Sequence, residues 1–225
     1  MNKIMLLISK RKDVRGMICT WELFLRCISS ETLAHRARMI EKGHKELEST
    51  LPAVSWQGYI LDKERADQKM EVRPNGLFVL DIITIDEEVP ELWSRIAPRR
   101  EELGIMVAHK TYTDGLRLVA KYRPGLKSLA ANKRRLAAEL SVDYELKSCS
   151  SFASVSFLVP QEYFYHIDRS LFDPAVETPD KQHKRGSERT KTKANEKIPQ
   201  TSTIIRTLDA VCDALEADTE QRKSE

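Results

Sequence analysis

Asp81 is the residue of this sequence whose type and position first point to chemistry. It follows the apolar run LFVL at positions 77–80 and precedes Ile82 and Ile83. A continuous apolar run of this kind is typical of a strand that is buried on both faces. A carboxylate is costly to bury there unless a metal ion, a proton or a hydrogen-bond donor compensates it. The neighbourhood of Asp81 is therefore the first place to look for a site, since many α/β folds place their chemistry at strand ends.

A second acid two residues after Asp81 would point to the same side of the strand and could share a divalent metal ion with it. That position is Ile83, so Asp81 as a metal ligand competes with Asp81 as an ordinary strand-end acid. Asp86 could substitute as a ligand, but a role as the N-cap of the next helix fully accounts for it. Asp114 precedes Gly115 and is most simply a turn residue, although it could supply a second carboxylate.

Two further polar residues stand near the same predicted strand end. His109 closes a predicted strand, and a structural histidine is the simpler interpretation of its role. Arg117 lies on an otherwise apolar strand, and a buried guanidinium needs an anionic partner. Phosphate, Asp81 and Asp114 are the candidates for that partner.

The elements that must position these residues follow from periodicity and from breakers. Ser30 is a good cap for a basic helix that runs to about Glu48, and Pro98 interrupts the helix that follows Asp86. The predicted strands cover 3–9, 53–60, 77–81, 105–110, 116–122, 153–159 and 163–167, and the predicted helices cover 17–28, 30–48, 86–104 and 128–140. This order predicts one α/β (α+β) domain with a mixed central sheet and flanking helices.

The domain is predicted to span residues 1–173. Residues 174–200 have few large apolar side chains, and seven lysines and arginines stand against three acids between positions 178 and 200, so we expect a disordered basic linker. Residues 201–225 are predicted to form an amphipathic helix and a tail. The segment over 178–200 therefore carries a formal charge of +4, and the rest of the chain sums to −1, which gives the net charge of +3.

Composition bounds the class of protein. The chain has 225 residues and 32% charged residues, and no apolar stretch is long enough to span a bilayer, so we expect no membrane partner. The four cysteines show no metal-ligand spacing. A reduced, cytoplasmic compartment is the interpretation that this usage favours.

Five short motifs carry a family resemblance. They are LPAVSWQG at 51–58, NGLFVLD at 75–81, PRREELGI at 98–105, HKT at 109–111 continued by GLRLV at 115–119, and FASVSFLVP at 152–160. In this order they resemble the VirE N-terminal domain family of Bacteroides-type genomes and their mobile genetic elements. That family is similar to the primase-polymerase branch of the archaeo-eukaryotic primases. The resemblance spans about residues 30–173 and implies a primase-like fold.

The resemblance also implies a mechanism. Carboxylates would hold two Mg²⁺ or Mn²⁺ ions that polarise the attacking hydroxyl and neutralise the triphosphate during nucleotidyl transfer. The partners it implies are single-stranded or primer-template DNA and a helicase-like ATPase. The residues it assigns are Asp81 and His109 for catalysis, Arg117, Thr111 and Thr113 for nucleotide phosphates, and Asp81, Asp86 and Asp114 for metal.

The sequence departs from the family pattern at three places. Ile83 replaces the second acid, Asp114 stands where a histidine is common, and the stretch CSSFAS at 149–154 lacks both the acid and the arginine of the family's Cys-Lys-Asp-Phe-Ala-Arg. Losing two of three expected acids is hard to compensate in a metal site. We therefore expect a degenerate metal site, no cofactor, and a DNA-associated accessory domain with little or no nucleotidyltransferase activity.

Two alternatives stay open. The chain could be an active metal-dependent primase-polymerase that rebuilds its site from Asp81, Asp86 and Asp114. It could instead be a non-enzymatic interaction module whose helix over 204–215 docks on another chain. The basic helix over 31–48 and the basic segment over 178–197 could contact nucleic-acid phosphates, or they could be solvated surface.

Overall fold

The computed structural model describes residues 4–7, 17–60, 72–83, 87–126, 128–145 and 147–172. The chain divides into a unit Met1–Pro174 and a unit Ala175–Glu225. The second unit lies outside the described residues. The basic linker predicted over 174–200 and the helix predicted over 201–225 therefore stay predictions.

The described part of the first unit contains short strands and four α-helices. The strands are β1 (Met5–Leu7), β2 (Met17–Ile18), β3 (Ala53–Ser55), β4 (Gly58–Ile60), β5 (Val72–Pro74), β6 (Leu77–Ile82), β7 (Ile105–Lys110), β8 (Leu116–Lys121), β9 (Ser156–Phe157) and β10 (Phe164–Ile167). The helices are α1 (Trp21–Ile28), α2 (Glu31–Glu41), α3 (Val89–Ile96) and α4 (Leu129–Leu140). Short 3₁₀ helices cover Lys45–Thr50, Ala97–Arg99, Gln161–Tyr163 and Arg169–Leu171.

Strand pairing divides the strands into three sheets. One has the order β10-β7-β8-β6, another has the order β2-β1-β3-β9, and β4 pairs with β5. The predicted α+β class is confirmed. The expected mixed sheet is corrected, because every pair of described strands is antiparallel. The short turn between β7 and β8 is one cause, since a parallel pair needs a much longer crossover.

β6 is buried along its whole length, as the apolar run predicts. Phe78, Leu80 and Ile82 belong to the main core cluster, which also includes residues of α3 and α4. β6 is nevertheless the last strand in the order of its sheet and not a central one. Its outer edge is met by a side chain, because the backbone N–H of Val79 donates to Oε1 of Gln57 over 3.2 Å.

Several predicted boundaries were wrong for local reasons. The helix expected over 17–28 begins only at Trp21, because Met17–Ile18 pairs with β1 and the side chain of Thr20 caps the first turn. The helix expected from Ser30 to Glu48 has the predicted cap but ends at Glu41, and Gly43 then takes a φ of +106°.

The strands expected near positions 53 and 156 are also shorter than predicted. The expected strand over 53–60 is two strands, Ala53–Ser55 and Gly58–Ile60, and the strand expected over 153–159 covers only Ser156–Phe157. The helix after β6 starts at Val89 with Glu88 as its N-cap, so the capping role predicted for Asp86 was wrong. Asp86 itself lies outside the described residues.

Candidate functional site

Three of the predicted site residues lie in one row across the sheet. In the strand register Asp81 stands opposite Arg117, Arg117 stands opposite His109, and His109 stands opposite Phe164. Residues directly opposite each other on neighbouring strands present their side chains on the same face. The register of β6, β8 and β7 thus brings together an acid, a guanidinium and an imidazole.

The Asp81–Arg117 pair is bidentate. Nε of Arg117 donates to Oδ1 of Asp81 over 2.5 Å, and Nη2 donates to Oδ2 over 2.9 Å. The side chain of Arg117 is only 15% exposed, and that of Asp81 is only 10% exposed. The hydroxyl of Ser148 also donates to Oδ2 of Asp81. Both oxygens of this carboxylate therefore already accept hydrogen bonds from the protein.

These contacts keep both partners charged. Burial alone would raise the pKa of the Asp81 carboxyl, but the hydrogen bonds and charge of Arg117, together with Ser148, hold that pKa below its ordinary value. Burial likewise opposes the charge on Arg117, and the Asp81 carboxylate outweighs it and raises the pKa of the guanidinium. Charge pairing thus overcomes desolvation on both sides.

Lys133 is a buried cation that sequence reasoning missed. It lies on α4, and its Nζ donates to the backbone carbonyl of Ser148. Burial lowers the pKa of its ammonium. Spacing held a signal for this placement, because Lys133 follows Leu129 by four residues and precedes Leu136 by three, on the apolar stripe of the helix. Through Ser148, Lys133 fixes the loop that reaches Asp81.

His109 is almost fully buried, with 1% of its surface exposed. Its Nδ1 lies 2.8 Å from the carbonyl oxygen of Lys110, so the tautomer that donates at Nδ1 satisfies this contact. Nε2 then carries the lone pair. Burial first, and then the charge of Arg117, lowers the pKa of this histidine to about 4. His109 is therefore a neutral imidazole at neutral pH.

A cavity of ≈ 540 Å³ opens beside the row. One part of its wall is polar, and another part is apolar and includes Val155, Phe157 and Val159. Four of the lining residues were singled out by the sequence as site residues, namely His109, Thr111, Thr113 and Arg117. The other polar residues of the lining are Glu48, Tyr112, Ser148, Cys149 and Ser154. The predicted phosphate-binding residues thus share one cavity with the predicted catalytic histidine.

The turn between β7 and β8 forms the rim on one side of this cavity. Thr111 Oγ1 accepts from the backbone N–H of Gly115 over 3.0 Å and lies 3.2 Å from the hydroxyl of Thr113. A Cβ added at Gly115 would meet the carbonyl oxygen of Ile82 at 2.7 Å, so this turn has room only for glycine. The glycine therefore keeps the threonines close to the end of β6.

Asp114 lies in the turn between β7 and β8, which agrees with its interpretation as a turn residue and not with a role as a second carboxylate beside Asp81. Its φ is +58°, its side chain is 84% exposed, and its Oδ1 lies 3.1 Å from Nζ of Lys110. The same lysine pairs with Glu41 over 3.0 Å. Asp114 and Asp81 thus serve different ion pairs.

The described residues do not fit a two-metal centre. Both oxygens of Asp81 bind Arg117 or Ser148, and Asp114 pairs with Lys110. Within the described ranges, no group of three or more His, Cys, Asp or Glu side chains could hold a metal ion. Asp86, the third predicted ligand, lies outside those ranges.

The fold and this site define an antiparallel α+β domain with a polar cavity beside a buried ion pair. Comparisons with protein-family models, with curated proteins and with solved structures each find no match. The family resemblance therefore rests on the sequence motifs. Among the described helices, none has the length and apolar character needed to cross a membrane.

The substitution Asp81→Ala should leave Arg117 buried without its partner. We expect a loss of about 3–5 kcal/mol in the free energy of unfolding, measured by urea denaturation. Asp114→Asn removes an exposed charge and keeps a side chain that tolerates the positive φ of this position, so it is the matched control, with an expected change within about 0.5 kcal/mol. Equal effects of the two substitutions would contradict the role assigned to the buried pair.

The free energy of unfolding should also depend on the protonation of His109. The pKa of this histidine is near 6.5 when unfolded and about 4 when folded, so the unfolded state binds more protons between these values. Stability should be full above pH 6.5 and should fall toward pH 4, by up to roughly 3 kcal/mol from this group.

The variant His109→Asn keeps a side-chain N–H donor but does not titrate in this range. The difference between its stability and that of the wild-type chain should therefore change between pH 6.5 and 4, which urea titrations at several pH values would measure. A difference that stays constant with pH would show that His109 does not carry this dependence. Carboxylates that do not interact with His109 titrate in both proteins and cancel in the comparison.

Proposed function

We propose that this protein is a DNA-associated accessory domain of the primase-polymerase type, from a mobile genetic element, with little or no nucleotidyltransferase activity. The expected lack of nucleotidyltransferase activity rests on one observation: both carboxylate oxygens of Asp81 accept hydrogen bonds from Arg117 or Ser148. The motifs that resemble the VirE N-terminal domain family support the assignment to a DNA-associated domain of the primase-polymerase type.

The ion pair opposes metal catalysis for an electrostatic reason. In two-metal transfer, carboxylate oxygens must face the cations directly. A divalent ion at Asp81 would have to displace the guanidinium of Arg117, and it would then lie next to that cation in a partly dehydrated site. Arg117 neutralises Asp81 and so removes the attraction that a metal ion needs.

The cavity retains groups suited to binding. Arg117 contributes to its wall, and the hydroxyls of Thr111 and Thr113 lie along the same wall. Guanidinium and hydroxyl groups are common partners of phosphate oxygens. Neutral His109 adds a hydrogen-bond acceptor without adding charge. These features favour recognition of a nucleotide or of a nucleic-acid end over its chemical conversion.

Exposed cations of the described surface support an association with DNA. Arg38 and Lys42 lie on α2 or at its C-terminal end, and Lys45 follows in the next turn, all three exposed. The basic segment over 178–197, which lies outside the described residues, adds seven more cations. Contacts of such cations with phosphates depend on salt but not on sequence. Single-stranded or primer-template DNA and a helicase-like ATPase are the partners that we propose.

The proposal predicts no primer synthesis and no incorporation of labelled nucleotides with Mg²⁺ or Mn²⁺. Adding Mg²⁺ or Mn²⁺ in increasing concentration should leave the midpoint of thermal unfolding of the intact chain unchanged. A metal ion that bound only the folded state would raise that midpoint. Incorporation that Asp81→Ala abolishes would instead support an active polymerase. Asp114→Ala would then show whether that carboxylate shares the metal.

Binding to single-stranded DNA should weaken with salt. We expect the triple variant Arg38→Ala, Lys42→Ala, Lys45→Ala to flatten the log–log salt dependence of binding by about 0.7 for each phosphate that these side chains neutralise in the wild-type complex.

The matched control is Lys121→Ala, Arg134→Ala, Lys147→Ala, which removes three exposed cations elsewhere. Filter binding over a salt series measures both variants. Equal slopes in the two variants would show that α2 is not the contact surface. No affinity of the intact chain at low salt would favour a protein-interaction module.

A further inference from the structure

The loop that follows α4 brings Cys149 to the wall of the cavity, and the sulfur of Cys149 lies 3.8 Å from the hydroxyl oxygen of Ser156. Cys149 has a φ of +46°, a left-handed conformation that non-glycine residues seldom adopt. Such a conformation persists where the surroundings over-determine it. Nε2 of Gln57 donates to the carbonyls of Cys149 over 2.8 Å and of Ser151 over 2.5 Å, and Ser148 is held by Lys133 and Asp81. Contacts on both sides of Cys149 therefore fix where its side chain points.

The other described cysteines have different surroundings. Cys19 is buried, and burial raises the pKa of its thiol strongly, with a smaller contribution from Cys27. Cys27 lies partly exposed on α1 and is not among the residues that line the cavity. Cys149 is thus the described thiol that a small molecule in the cavity would meet. Cys27 and Cys149 are both partly exposed, so the reactivity of Cys27 is an internal control for that of Cys149.

A second observation in the same cavity points to a ligand. His109 is buried and lines the cavity, and its Nδ1 is satisfied by Lys110. Its Nε2 has no partner among the described residues, so a bound molecule with an N–H or O–H group would satisfy it. Both hydrogen bonds that Arg117 makes in the described part use Nε and Nη2, which leaves Nη1 for an acceptor group.

Two basic side chains lie near Cys149. Arg117 and Lys133 both interact electrostatically with Cys149, so the two side chains lie within electrostatic reach of it. Asp81 balances the charge of Arg117, and Glu48 lines the same cavity, so the inference for Cys149 rests on its place in the cavity and on the fixed groups around it. The thiol, the cations and the acceptor of His109 belong to one neighbourhood.

We propose that Cys149 is a thiol–disulfide exchange site that takes a low-molecular-weight disulfide bearing carboxylate and amide groups. A carboxylate of the reagent would accept from Nη1 of Arg117, and an amide N–H would donate to Nε2 of His109. The cavity, ≈ 540 Å³, lies within the roughly 300–1,000 Å³ of pockets that enclose small molecules. This inference is independent of the proposed function.

The reaction balances without a further oxidant. The Cys149 thiol loses its proton to solvent, and its sulfur attacks one sulfur of the disulfide RS–SR. The bond from Cys149 sulfur to the attacked sulfur forms as the S–S bond of the reagent breaks, and RS⁻ leaves with the electron pair. Cys149 is oxidised to a mixed disulfide, and half of the reagent is reduced to a thiol.

The test uses the full reduced chain and two disulfides of different charge. Oxidised glutathione carries carboxylates and amides, and 2-hydroxyethyl disulfide is neutral. Peptide mapping by mass spectrometry follows each cysteine separately. We expect oxidised glutathione to modify Cys149 at least about tenfold faster than Cys27 in the folded chain, and the two rates to converge in denaturant.

The ligand class is tested by the ratio of the two reagents. The rate with oxidised glutathione divided by that with 2-hydroxyethyl disulfide should be larger at Cys149 than at Cys27. Cys27→Ser should leave the Cys149 rate unchanged, and Cys149→Ser should remove the fast phase. A rate at Cys149 no greater than at Cys27, or equal reagent ratios at the two cysteines, would overturn the proposal.

Discussion

The bidentate pair of Asp81 and Arg117 is the interaction on which the site depends. It joins β6 to β8 by side chains where the backbone register already places the two residues opposite each other. Because both groups are largely buried, neither can be left alone without a penalty of several kcal/mol. The pair in turn anchors Ser148, and Ser148 anchors Lys133. One ion pair thus organises the sheet, the loop after α4 and the helix itself.

A buried acid at the end of an apolar strand needs compensation, and that much follows from Asp81 in the sequence. A metal ion and a guanidinium both meet the need, but they have opposite chemical consequences. A metal would activate a phosphoryl group or a hydroxyl, whereas a guanidinium neutralises the acid and leaves it inert. Asp81 was one of the partners that the sequence allowed for Arg117, yet only the strand register distinguishes it from phosphate or Asp114.

Helices and strands were predicted well where a short sequence pattern, such as a capping residue or an apolar run, is sufficient to define them. Ser30 and Ser128 cap α2 and α4, and the buried run predicts β6. Long-range contacts were not accessible in the same way. Ser148 lies in a loop without periodicity, and its role depends on Asp81, 67 residues away. Lys133 left a trace, because its position on an apolar stripe of α4 is at odds with its charge.

The charges of the row across the sheet nearly cancel, and this favours a role in binding over a role in catalysis. Arg117 is matched by Asp81, and burial keeps His109 neutral, so the row across the sheet carries almost no net charge. A general acid or base at neutral pH would need a histidine whose pKa lies near that pH. Because the pKa of His109 is about 4, its Nε2 is only a hydrogen-bond acceptor at neutral pH. Polar groups that are fixed, paired and neutral recognise the shape and hydrogen-bonding pattern of a ligand. The same wall therefore suits a site that holds a molecule better than one that transforms it through metal-assisted transfer.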